Sequence, residues 1–67
     1  MKKWYTIVAV PQCEENKYGN DAVMFEFCMN TSDKHDVRVL EEVVANKLGD
    51  KYGNKYWNVP VHIEYIG

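Results

Sequence analysis

Trp57-Asn58-Val59-Pro60-Val61-His62-Ile63-Glu64-Tyr65-Ile66-Gly67 closes the chain in strict alternation. Trp57, Val59, Val61, Ile63 and Tyr65 fall on one side; Asn58, Pro60, His62 and Glu64 fall on the other. A period of two marks a half-buried strand, because successive side chains leave opposite faces of the backbone. The spacing predicts a C-terminal strand locked into a sheet, and the rest of the fold must close around it.

Upstream, the period changes. Asn30-Thr31-Ser32-Asp33 is a helix start: Ser32 or Asp33 can cap free N–H groups, and Asp33 and Asp36 place negative charge at the positive end of the helix dipole. Val37, Leu40, Val44 and Leu48 then recur at helical spacing, widened by Val43, with Arg38, Glu41, Glu42 and Asn46 opposite. Lys47 suits a last turn, and Gly49 is the expected residue just past the helix. Residues 50–56 read as a loop.

Two more strands come first. Lys2 to Val10 puts Trp4, Thr6, Val8 and Val10 on one face and Tyr5, Ile7 and Ala9 on the other, so both faces are largely apolar and the strand is central. Pro11 ends it, and Gly19-Asn20 signals a turn. Asp21 to Met29 alternates Val23, Phe25, Phe27 and Met29 against Ala22, Met24, Glu26 and Cys28. Lys17-Tyr18-Gly19-Asn20 recurs as Lys51-Tyr52-Gly53-Asn54, which is turn chemistry used twice.

The expected fold is α+β: a single β-β-α-β domain over residues 1–67, with a three-stranded antiparallel sheet in order 2-1-3 and one helix on one face. A crossover from the second strand to the third fits best when the third lies on the far side of the first. The expected core sets Trp4, Thr6, Val8, Val10, Val23, Phe25, Phe27, Val59, Val61, Ile63 and Tyr65 against Val37, Leu40, Val44 and Leu48. The open face is then Tyr5, Ile7, Ala9, Met24, Cys28, Pro60 and Ile66, edged by Glu26, His62 and Glu64.

Sixty-seven residues bury only a modest share of their surface, so a domain this small is marginal unless a disulfide, metal or partner adds burial. A disulfide is not expected. Cys13 and Cys28 would sit at opposite ends of a hairpin, about 15–20 Å apart, whereas a bridge needs Cα atoms within ~7 Å. Free thiols and a poor signal sequence predict a cytoplasmic protein. The spacing of Cys13, Cys28, His35 and His62 matches no metal-ligand pattern, so no metal or cofactor is expected. No phosphate loop, metalloprotease motif or framed pair of carboxylates appears, and the sequence predicts no enzymatic activity.

What remains is binding. An uncovered apolar sheet face rarely stays bare, so the expected function is that of a protein-binding module acting through this face or an edge strand. Its expected contact residues are Tyr5, Ile7, Met24, Glu26, His62 and Glu64, and a homodimer is expected. The alternative is nucleic-acid binding by the Lys/Tyr-rich 47–57 stretch, through Lys47, Lys51, Tyr52, Lys55 and Tyr56, where rings stack bases and lysines hold phosphates. A net charge of −2 gives that alternative little electrostatic support. Lys2-Lys3-Trp4-Tyr5 resembles the opening strand of the NusG-type transcription-factor domain over those four residues, but that domain's next helix has no counterpart here. In its size and lack of motifs the chain resembles the small proteins that phages and mobile elements direct against host proteins.

Overall fold

The computed structural model describes all 67 residues. Strand β1 spans Lys3–Pro11, β2 spans Val23–Met29, helix α1 spans Lys34–Tyr52 and β3 spans Val61–Ile66. The sheet runs β2-β1-β3, with both pairings antiparallel. This is the expected α+β architecture with the expected strand order. No helix is long and apolar enough to cross a membrane.

The face of β1 that packs under the helix is the opposite of the expected one. Directly paired residues share a face, and Tyr5, Ile7 and Ala9 lie opposite Phe27, Phe25 and Val23. On the other side Ile7, Ala9 and Pro11 lie opposite Tyr65, Ile63 and Val61. The core is therefore Ile7, Ala9, Val23 and Met29 against Leu40, Val44 and Leu48, flanked by Tyr5, Phe25, Phe27, Val37, Tyr52, Val61 and Ile63. Trp4, Thr6, Val8 and Val10 fall on the open face. The physical reason is that β1 is apolar on both sides, so alternation cannot choose between them. The choice is made by register against β2, which the 12–22 connection sets.

That connection is pinned by one buried amide. Asn16, at the end of a short 3-10 turn, donates from Nδ2 to the carbonyls of Pro11 (2.8 Å) and Asp21 (2.9 Å), and its Oδ1 accepts from the Asp21 N–H at 2.9 Å. Three bonds satisfy a buried polar group that would otherwise be costly to fold.

Helix α1 starts where expected: Asp33 accepts from the His35 N–H at 2.9 Å. Asp36, buried in the first turn, accepts from the Asn30 N–H at 2.9 Å and pairs with Lys2 at 3.3 Å. The helix runs a full turn beyond the expected Leu48, so Gly49 lies inside it. Gly53 is the true terminator, at φ 63°, a value that L side chains rarely adopt. The last turn is held because the Ala22 N–H donates to the Tyr52 hydroxyl at 3.2 Å.

The C-terminal strand starts four residues later than its alternation implies. Trp57 to Pro60 form a turn, with Asn58 at φ 60°. Pairing with β1 stops at Pro11, so residues ahead of Val61 have no strand to join. The last link is the Gln12 N–H, which donates to the Pro60 carbonyl at 2.7 Å. Trp57, expected on the core face, is 77% exposed.

Candidate functional site

Helix α1 covers one side of the sheet, and the other side is built from the outward residues of all three strands. Register places them in rows. Cys28 is beside Trp4; Glu26, Thr6 and Ile66 form the next row; Met24, Val8 and Glu64 the next; and Val10 lies beside His62. A central stripe from β1 is thus flanked by Met24 and Ile66 and bordered by Glu26 and Glu64. Trp4 is 65% exposed and Met24 73%. Large apolar side chains held this far into solvent by a rigid sheet are what a binding surface requires.

Of the six contact residues expected from sequence, four lie here and two do not. Met24, Glu26, His62 and Glu64 share the open face, and His62 Nε2 lies 3.2 Å from the Glu64 carboxylate. Ile7 is fully buried beneath the helix. Tyr5 is on the same inner side, edge-on to Tyr65 with centroids 5.9 Å apart and with the Lys3 ammonium 5.0 Å from its ring. The open-face residues that the sequence pattern assigns to the core instead are Trp4, Thr6, Val8 and Val10. A Trp near the start of a two-faced apolar strand was the available signal, because an indole is a common anchor of protein interfaces.

The Lys/Tyr set does not form a stacking surface. Lys47 and Lys51 stand on α1, and Tyr52 belongs to its last turn. Tyr56 is buried, and its hydroxyl donates to the Asp21 carboxylate. Lys55 bridges the same carboxylate at 3.0 Å. The Tyr56 hydroxyl and Lys55 together hold the Asp21 carboxyl below the ordinary range, while Asp21 raises the Lys55 pKa and burial raises that of Tyr56. Tyr52 and Tyr56 meet edge to face, 5.4 Å apart, and the Lys51 and Lys55 ammonium groups each lie 5.3 Å from the centroid of the neighbouring ring. The set ties the end of α1 to the start of β2.

Cys13 and Cys28 are free thiols, Cys13 in the β1–β2 connection and Cys28 beside Trp4. His, Cys, Asp and Glu side chains form no group of three or more able to hold a metal ion.

No known protein family's sequence profile matches this chain, and no solved structure matches it. Over 63 residues the chain is 35% identical to a valine–tRNA ligase from Nanoarchaeum equitans, a match covering 94% of this chain. The chain spans 8% of that enzyme's length, so the similarity is to a short stretch of a much longer protein.

Proposed function

We propose that this chain is a non-enzymatic protein-binding module that docks a partner on the open face of its sheet, in the cytoplasm. The observation that carries the reading is the rigid patch of Trp4, Val8, Met24 and Ile66, rimmed by Glu26, His62 and Glu64. Interfaces of this build have an apolar centre with an aromatic anchor and a polar rim. The two rim carboxylates favour a partner with basic residues around an apolar patch. One consequence of such docking is occlusion of a larger protein's surface, the mode of a small inhibitor.

The test is retention of a partner by tagged protein in lysate, with and without nuclease. Trp4→Ala and Met24→Lys should each abolish retention of a nuclease-resistant partner while the far-UV circular dichroism stays native. Undiminished retention by both variants would reject the face. A homodimer through this face would instead be dissociated by the same two changes in a sizing experiment.

RNA binding is the second reading, favoured by the name of the relative, a tRNA ligase. Lys47 and Lys51, both exposed on α1, would supply phosphate contacts. Each change to Ala should then flatten the dependence of log K on log salt by roughly one unit. Binding that survives nuclease and shows no such slope would exclude it.

A further inference from the structure

Helix α1 makes its closest approach to β2, which leaves the inner side of β3 only partly covered. Between the helix and β3 lies a cleft of about 630 Å3. One wall is Ala45, Leu48 and Gly49 of α1; the other is Val59, Val61 and Ile63. Trp57 stands at its rim, 77% exposed. A Cβ placed on Gly49 would meet no atom within 4 Å, so the cleft is open along the helix surface.

The charge on the cleft is one-sided. Glu41 and Asp50 are the charged residues that line it, and neither takes part in an ion pair. All eight lysine and arginine residues lie elsewhere. Nine residues apart, Glu41 and Asp50 stand about 13 Å apart along α1 and about half a turn apart around it, so they flank the cleft from opposite sides of the helix, and Asp50 also borders Lys47 and Lys51. Every buried side-chain polar atom in the molecule already has a hydrogen-bond partner. Three asparagines, Asn46, Asn54 and Asn58, also line the cleft, so its polar groups are uncharged apart from Glu41 and Asp50. Its apolar walls offer fit to apolar side chains, and the charge it presents is that of two carboxylates. An acidic rim opposes phosphate, which disfavours nucleic acid and anionic lipid.

We infer that the cleft is a second binding site, for an apolar segment of a partner protein that carries lysine or arginine on either side of its large side chains. The apolar side chains fill the space between α1 and β3, and the basic groups meet Glu41 and Asp50. This site is on the opposite side of the sheet from Trp4 and Met24, so it stands or falls independently of the open face.

The test uses the full chain with Trp4→Phe, which leaves Trp57 as the sole tryptophan. A displayed library of random twelve-residue peptides is selected on it, and the strongest binder is titrated while Trp57 emission is followed. The expected peptides are enriched in Lys or Arg together with Leu, Ile, Phe or Trp, and binding shifts the emission to the blue. Gly49→Leu projects into open space and should remove binding at least tenfold without loss of helix signal. Glu41→Lys with Asp50→Lys, both at exposed positions, should weaken it at least tenfold as a separate check. Met24→Lys should leave it unchanged. Failure to select any peptide, selection of acidic peptides, or equal binding by the Gly49→Leu and charge-reversed proteins would overturn the inference. A concentration-dependent dimer dissociated by Gly49→Leu would also overturn it, because a second copy would then be the occupant.

Discussion

Two glycines four positions apart, Gly49 and Gly53, carry opposite expectations. Gly49 sits in the helix with open space around its Cα. Alanine there removes conformational freedom from the unfolded chain and meets nothing, so Gly49→Ala should stabilise by about 0.5–1 kcal/mol. Gly53 ends the helix at φ 63° and ψ −133°, a region essentially closed to side chains. Gly53→Ala should destabilise by about 1–3 kcal/mol even though no atom blocks the new Cβ. In thermal melts the two midpoints should move in opposite directions, by about 4–8 °C per kcal/mol in a domain of this size. A fall in midpoint for Gly49→Ala would mean that the helix does not continue through residue 49. Sequence spacing placed the helix end at Gly49 because that glycine follows the last apolar residue of the stripe. The decisive group was Tyr52, whose hydroxyl reaches Ala22 thirty residues away, and local pattern carries no trace of such a contact.

At the scale of elements, both ends of α1 are fastened by carboxylates. Asp36 is held below the ordinary carboxylate value of 3.8 chiefly by the Asn30 N–H, with help from Lys2. Asp21 is held below it chiefly by the Tyr56 hydroxyl and then by Lys55. A carboxyl whose pKa is depressed by folding contributes stability above its unfolded pKa and loses it as pH falls through the folded value. Both contributions are therefore present at neutral pH and fade below about pH 4. Asp36→Asn and Asp21→Asn should each lower stability at pH 7 and flatten its decline in the acid range, as read from urea midpoints between pH 2 and 7. An acid limb as steep in the double variant as in the parent would show that other carboxylates govern it. The elements themselves were legible where period and caps agreed, as for the Asp33 start and the alternation of β2. They were illegible where a long-range contact set the boundary. The Trp57–Pro60 turn looks like strand because its alternation is good, yet it has no neighbour to pair with. The Lys/Tyr stretch looked like an exposed stacking surface, yet Asp21 draws Tyr56 inward.

At the scale of the whole molecule, one helix on one side of a three-stranded sheet leaves a choice of which side is core, and β1 is apolar on both. That ambiguity is why the expected binding set contains Ile7 and lacks Trp4, although Met24, Glu26, His62 and Glu64 do lie on the open face. The two assignments differ in a way that folding itself reports. Ile7 is completely enclosed, so Ile7→Glu removes core packing worth about 2–5 kcal/mol and leaves a carboxylate without a partner. A chain of this length has only about 3–10 kcal/mol of total stability. Ile7→Glu should therefore unfold the protein, with loss of far-UV signal and collapse of amide proton dispersion. Trp4→Glu, on a side chain 65% exposed, should leave the fold intact and change the thermal midpoint by only a few degrees. The same variant should still lose the partner on the open face, because the anchoring indole is gone. A folded Ile7→Glu together with an unfolded Trp4→Glu would reverse the two faces, and would return Tyr5 and Ile7 to the surface on which the proposed function rests.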